Sequence, residues 1–304
     1  MTEVHLPEYP EFGEVTPPMR QVLHPLFRAL ASEVSELTFA NIYLFRETHN
    51  YMVSGLGPGA FVVSGADEPG REGFFMLPFG VPPLDVLGDL FGRFSFVKAA
   101  PEALAGEMAA LGYVAEEDRD NFDYLYLRED LAGLGGKRFH KKKNKVNFFT
   151  GNYNCETLPL TDELVPDAIS VLERWREARP GGSGPGDYVA AREALDRCYE
   201  LQLCGFIYYV DGEPAGYTLG EEIRDDTFVT HFEKALGGYK GLAQFINQSF
   251  AAMLPERYVY VNREQDLGDE GLRHAKMGYR PASFVRKYRV RPGRTVSGGG
   301  GSLV

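Results

Sequence analysis

The stretch Thr227 to Phe250, TFVTHFEKALGGYKGLAQFINQSF, places an imidazole and a carboxylate just ahead of a glycine-rich turn and a helix. On a strand, Thr227, Val229, His231 and Glu233 share one face, so His231 and Glu233 are expected to point the same way. A carboxylate with an orienting imidazole is suited to taking a proton from an attacking amine or hydroxyl, with Glu233 as the first candidate for the base. The same pattern also suits a polar sheet edge facing solvent. Gly237-Gly238-Tyr239-Lys240-Gly241 then leads into a helix whose apolar residues Leu242, Phe245, Ile246 and Phe250 recur at helical spacing. A strand, a glycine loop and a helix start together aim backbone N–H groups and a positive helix end at a phosphate. On that helix, Asn247 and Gln248 either orient a donor or pack at its edge.

Two other groups carry chemistry. Asn262, Glu264 and Asp266 alternate directly after the apolar run YVYV. That places polar groups at a strand's C-terminal mouth, where αβ sites gather, to hold a substrate amine or hydroxyl. Capping of the following helix by Asp266 or Asp269 is the structural alternative. The segment GKRFHKKKNKVNFF carries Lys137, Arg138, Lys141, Lys142, Lys143 and Lys145. Read as a helix, it puts Lys137, Lys141 and Lys145 on one face and Phe139, Val146 and Phe149 on a sparse apolar one. It is either a solvated face or an anion-binding helix in which Lys137, Arg138 and Lys141 meet phosphates. Contact with RNA phosphates would make binding strongly salt-dependent.

The elements that must position these groups alternate between strand and helix. Helices are expected over Gln21–Leu37, Pro82–Phe91, Pro101–Leu111, Leu164–Ala178 and Tyr188–Leu203, and Phe39–Phe45 reads as a strand or a strand–helix mix. Asp211-Gly212 between alternating runs predicts a hairpin, and Phe284–Val290 reads as one last strand. The organisation is an arm at 1–20, a first αβ half at 21–135, a basic linker helix at 136–152, a second half at 153–291 and a Gly-rich tail at 292–304. Length and a hydrophobic content of 44% allow sizeable cores. A net charge of −11 argues against nucleic-acid binding over the whole surface, so any steering of an anion is local. No secretory signal and no membrane span are legible, and Cys155, Cys198 and Cys204 form neither a paired framework nor a metal-ligand spacing. A cytoplasmic location is the expectation, and the oligomeric state is left open.

The element order, ending in GLRHAKMGYRP, resembles the GNAT acyltransferase superfamily, with Lys276, Met277, Gly278 and Tyr279 matching its closing motif. GKRFHKKKNKVNFF, THFEKA, INQSFA and YVNREQDLG together resemble a bacterial family grouped with the C-terminal domain of phosphatidylglycerol lysyltransferases. The resemblance covers roughly residues 20–290. It implies an α/β (α+β) fold of two tandem GNAT-like (acyl-CoA N-acyltransferase) domains, with mixed sheets flanked by helices. It also implies a pyrophosphate loop at Gly238, Tyr239, Lys240, Gly241, Leu242 and Ala243. Gly238 stands where the superfamily has Gln or Arg, a charge that Lys240 could replace. His274, four residues before Gly278, occupies the place of a tyrosine that protonates a leaving thiolate. The catalytic candidates are therefore Glu233, His231, His274 and Glu264, with Asn247 beside the cofactor loop.

The implied activity is direct acyl or aminoacyl transfer onto an amine or hydroxyl acceptor. No cofactor is bound permanently. The donor is acyl-CoA, favoured by Gly241 and Ala243, or an aminoacyl-tRNA held through residues 137–145. A non-catalytic GNAT-fold module holding a nucleotide or RNA is the alternative.

Overall fold

The computed structural model describes residues 4–67, 72–178 and 185–293. The acidic turn expected at 67–70, most of the loop expected at 180–188 and nearly all of the expected Gly-rich tail lie outside the described residues. In chain order the first half comprises β1 (Gly13–Glu14), α1 (Arg20–Leu30), α2 (Phe39–Leu44), α3 (Arg46–His49), β2 (Met52–Gly55), β3 (Phe61–Ala66) and β4 (Gly73–Met76). It continues with α4 (Leu84–Arg93), β5 (Phe96–Pro101), α5 (Glu102–Ala110), β6 (Val114–Glu117), β7 (Asp123–Leu127) and α6 (Arg128–Gly133). A single 3-10 turn at Lys137–Phe139 starts the basic helix α7 (His140–Asn152). The second half runs through β8 (Cys155–Pro159), α8 (Val165–Glu177), α9 (Pro185–Asp196), α10 (Cys198–Leu201), β9 (Cys204–Val210), β10 (Glu213–Arg224) and β11 (Thr227–Ala235). It ends with α11 (Leu242–Met253), β12 (Tyr260–Asn262), α12 (Glu270–Met277), β13 (Ser283–Val285) and β14 (Lys287–Arg291).

Two seven-stranded sheets result, ordered β1-β2-β3-β4-β5-β14-β6 and β13-β7-β12-β11-β10-β9-β8. Each sheet takes one strand from the other half of the chain. β7 pairs with β12 and β13 in the second sheet, while β14 lies between β5 and β6 in the first. The boundaries at 21–135 and 153–291 therefore follow the chain and not the sheets. The run expected as one strand, Phe284–Val290, breaks at Arg286: Val285 pairs with Asp123 and Lys287 with Pro101. Every residue of FVRKYRV suits a strand, so local propensity carries no trace of the change of partner.

Phe39–Phe45 is another departure, because the chain is helical there. The Thr38 side chain accepts from the Asn41 backbone N–H as a cap, and all six helical residues are buried. A helix covered on every side has no polar face to reveal its period. The N-terminal arm packs in extended form along β2, with Tyr9 N–H donating to the Gly55 carbonyl and Gly55 N–H to Pro7.

Where the strands are exchanged, charge is buried. Lys287 Nζ, fully enclosed, donates to Asp123 Oδ1 at 2.7 Å and also bonds Glu36. Asp123 Oδ2 accepts from the Ser35 N–H at 2.9 Å and from Asn262 Nδ2 at 3.2 Å. Burial alone would lower the lysine's pKa, but Asp123 and Glu36 hold it above its ordinary value. An ion pair this dry offsets its desolvation only through further hydrogen bonds, which both oxygens of Asp123 make and Glu36 Oε1 lacks among the described residues. Here the cluster ties β14 of one sheet to β7 of the other.

Candidate active site between diverging strands

β11 and β12 are parallel neighbours, paired from Thr227–Tyr260 to Val229–Asn262. β12 then stops while β11 runs on to Ala235, so the two strands part and leave a gap. Within the gap β11 carries a bulge: Leu219 of β10 faces Phe232 and Gly220 faces Thr230, which leaves His231 as the extra residue. The bulge changes the phase of the strand. Phe228 packs edge-on against Phe250 of α11, whereas Phe232 belongs to the core shared with α8 and the first half. His231 and Glu233 consequently have different surroundings, and the expected shared face does not form.

His231 is enclosed between two carboxylates. Its Nδ1 lies 2.8 Å from Glu264 Oε1 and its Nε2 3.1 Å from Glu221 Oε1. Burial alone would favour the neutral ring, but the two acids outweigh it and raise its pKa to about 10. His231 is therefore a fixed imidazolium near neutral pH. Glu264, held at φ 54°, also accepts from Asn41 Nδ2 of α2 at 3.4 Å, which links this trio to the first half.

Glu233 lies against α11. Its Oε2 accepts from Arg263 Nη2 at 3.0 Å. Arg263 is buried, and Asn247 of α11, with its amide oxygen turned inward, accepts from Nη1 at 2.5 Å and Nη2 at 3.2 Å. Tyr126 of β7, Tyr208 of β9 and Tyr279 after α12 surround the pair. Burial is the main cause that raises the pKa of each, with that of Tyr208 also pushed up by Glu233. The turn after β12 is pinned from below: Lys276 Nζ donates to the carbonyls of Arg263, Glu264 and Gln265 at 2.7, 3.0 and 2.5 Å. Burial, and then Arg263, lower the Lys276 pKa to about 8.

The basic helix flanks this gap. Gly241, at φ 95°, is a position only glycine fills comfortably, and a Cβ there would lie 2.2 Å from the Lys145 carbonyl oxygen of α7. Lys240 Nζ sits 4.3 Å from the ring centre of Phe148 on the same helix, and Tyr239 meets Tyr153 edge-on. Gly238, at φ 94°, has nothing within 4 Å of such a Cβ. Leu242 is buried in the core beneath the loop and Ala243 is exposed at the start of α11.

The other expected site residues have different tasks. His274 is exposed on α12, away from the enclosed groups, because the inward turn of that helix presents Lys276. Asn262 is spent on structure: its Nδ2 donates to the Glu33 carbonyl and its Oδ1 accepts from the Glu264 N–H. Asp266, fully buried, accepts from Tyr124 Oη at 2.5 Å, from Arg273 and from the Gly268 N–H. Although burial opposes it, those donors hold its carboxyl far below the usual range, so it locks the loop. Lys137 and Lys141 are exposed, and Arg138 is paired with Asp130 of α6. Arg263 and Lys142 belong to the site, yet sequence reasoning did not single them out. The signal for Lys142 was present: it lies four and seven residues before Val146 and Phe149, interrupting the inward face of α7 with a cation.

A parallel strand pair joined through a helix occurs once in each seven-stranded mixed sheet, as β4–α4–β5 and as β11–α11–β12, and defines a protein of two tandem GNAT-like halves. The chain belongs to the family described as phosphatidylglycerol lysyltransferase, C-terminal, which it matches over residues 27–291. A conserved protein of unknown function from Bacteroides thetaiotaomicron is similar at 29% identity and a TM-score of 0.84, over 93% of this chain and 99% of that one. The C-terminal domain of a lysylphosphatidylglycerol synthetase from Agrobacterium fabrum shares the fold at 13% identity and a TM-score of 0.57, over 89% and 93% of the two chains. An uncharacterized protein of Mycoplasmoides gallisepticum is 23% identical over 188 residues, 59% of this chain, which spans 58% of that relative's length. Among the described residues no helix is long and apolar enough to cross a membrane.

Proposed function

We propose that this chain is a GNAT-type transferase that moves an aminoacyl group from a tRNA donor onto an amine or hydroxyl. The observation that carries the choice of donor is the packing of α7 onto the glycine loop. Gly241 faces the Lys145 carbonyl oxygen, a partial negative charge, and the position that would offer Gln or Arg to a pyrophosphate is Gly238. Beside that loop, the exposed Lys141 and Lys145 stand one turn apart on the same side of α7, with Lys137 just ahead of them, a spacing suited to a phosphodiester strand. Membership of the phosphatidylglycerol lysyltransferase C-terminal family agrees with an aminoacyl group as cargo.

In this reading Glu233 is the base. Its Oε2 is held by Arg263, and its Oε1 makes no hydrogen bond among the described residues. The acceptor's nitrogen or oxygen attacks the ester carbonyl carbon, the new bond forms as the acyl C–O bond breaks, and Glu233 takes the acceptor's proton. The carboxyl returns that proton to the leaving ribose oxygen. His231, a fixed cation bonded to both its acids, holds Glu264 and the turn bearing Arg263 in place.

Filter retention with aminoacylated bulk tRNA at two salt concentrations, alongside calorimetry with acetyl-CoA, tests the reading. Salt-sensitive tRNA binding without acetyl-CoA binding is expected. Binding of acetyl-CoA alone replaces the donor, and binding of neither overturns the transferase.

A further inference from the structure

Two cations converge on one ring beside the gap, and only one of them has a carboxylate partner. Lys142 turns inward from α7, where its Nζ lies 3.9 Å from the ring centre of Tyr279. The Arg263 guanidinium lies 5.3 Å from the same ring centre. Gly278 makes room for this approach, since a Cβ there would sit 3.3 Å from Lys142 Cε. Glu233 is already bonded to Arg263, and Lys142 has no carboxylate partner among the described residues. Burial, then Lys145 and Arg263, lower the Lys142 pKa to about 8. A half-buried ammonium facing like charges is unfavourable unless an anion joins it.

We infer that Lys142 and Arg263 form a phosphate-binding subsite at the inner end of α7, set to receive the phosphate group nearest the transferred acyl group. The inference rests on the donor entering the β11–β12 gap, as proposed above. The ligand chemistry is a phosphate ester. An aminoacyl-tRNA supplies it as the phosphodiester of its last nucleotides, and an acyl-CoA as its pyrophosphate. Lys142 would act as an enclosed, short-range contact, while its exposed neighbours on α7 attract phosphates at longer range and without geometric demand. Tyr279 supports both cations through its ring face, so the subsite is built before the ligand arrives.

The test is a titration of protein labelled with 13C at lysine Cε, in which the Lys142 resonance is assigned by its loss in Lys142→Met. In the free protein this resonance is expected to titrate near pH 8. Saturation with inorganic pyrophosphate, aminoacylated tRNA or acetyl-CoA, tried separately, should raise its midpoint by about one unit or more, as an opposite charge does to an ammonium. Lys142→Met should weaken binding of the effective probe at least tenfold, and Lys141→Met less than threefold. A midpoint unmoved at saturation, or equal losses in the two variants, overturns the subsite. If tRNA binds while Lys142 stays unmoved, the subsite fails and the donor assignment stands. If pyrophosphate moves Lys142 while neither tRNA nor acetyl-CoA binds, the subsite stands and the transferase reading fails.

Discussion

The molecule contains the same backbone device twice, and the candidate site lies at only one copy. In the first sheet β4 and β5 are parallel neighbours over Phe74–Phe96 and Phe75–Val97, and all four side chains are buried. The connection to the next helix reads LPFGVPP, and α4 opens with Asp85 in its first turn. In the second sheet the parting of β11 and β12 exposes Glu233, Arg263 and Asn247 to one another, and a glycine loop with Lys240 leads to a helix whose first turn has no acid. An aspartate at a helix start satisfies the dipole that an anionic ligand would otherwise meet. In the first sheet the paired residues are three rings and a valine, and Lys98 just beyond them is bonded to Asp67. A largely buried arginine is costly without its partners, and its presence singles out the second copy as the candidate site.

The largest effect expected from this contrast is on turnover. Glu233→Gln should lower the transfer rate by roughly 10²- to 10⁴-fold while donor binding persists, the usual weight of a general base. Asp85→Asn, at the start of the corresponding helix in the first half, should leave turnover within twofold. Similar losses in both would break the contrast. Stability probes the opposite question, whether the halves are independent. Lys287→Ala strands Asp123 and Glu36 as buried carboxylates where the sheets exchange strands, and should cost about 3–5 kcal/mol. Urea unfolding should show one transition at a lower midpoint. Two separated transitions would mean that the exchanged strands do not couple the halves.

Each half also encloses a histidine, part-buried His49 in the first and buried His231 in the second, with opposite charge states. His231 has a pKa raised to about 10, so its protonated form binds more tightly in the folded state. Its contribution is complete below the unfolded value near 6.5 and is lost as pH rises through about 10. His49 is lowered to about 4, chiefly by burial and then by Lys98, so folding excludes its proton. Stability should therefore fall as pH drops from about 6.5 through about 4. Urea midpoints across pH should lose the alkaline slope in His231→Gln and the acid slope in His49→Gln.

A smaller difference separates the two loop glycines. Gly80, at φ 87° with open space around it, should cost roughly 1–2 kcal/mol when changed to Ala. Gly241→Ala meets the same backbone penalty plus the Lys145 carbonyl, adding about 1–3 kcal/mol for overpacking. Equal midpoints in thermal unfolding would mean that α7 is not seated on the loop. The smallest effect belongs to the exposed lysines of α7: Lys141→Ala should reduce the slope of log affinity against log salt by about 1, with little change in stability.

Much of this was legible in the residues. Periodicity located α4, α5, α8 and α11, because each has one buried and one solvated side, whereas the helix expected from Gln21 to Leu37 stops at Leu30, where Ala31 turns left-handed at φ 48°. The family motifs placed the fold, and Glu233 was named from alternation alone. That same alternation put His231 on the wrong side, since a bulge adds a residue without altering composition or pattern. Arg263 was passed over because an arginine after a strand has no local mark of burial. Lys142 was marked by its place on the apolar face of α7 and was lost among its exposed neighbours.

What the sequence determined by itself was local: which segments are helix or strand, where the glycine loop lies, and which family's motifs recur in order. These follow from side-chain period, turn chemistry and capping, all of which act within a few residues. Only the tertiary structure decided that β7 and β14 cross between sheets, that His231 is a locked cation, and that Glu233 meets Arg263 with Lys142 beside them. Those outcomes depend on which distant strands pair and how far water is excluded. The energy of a buried charge is set by groups brought together from across the chain.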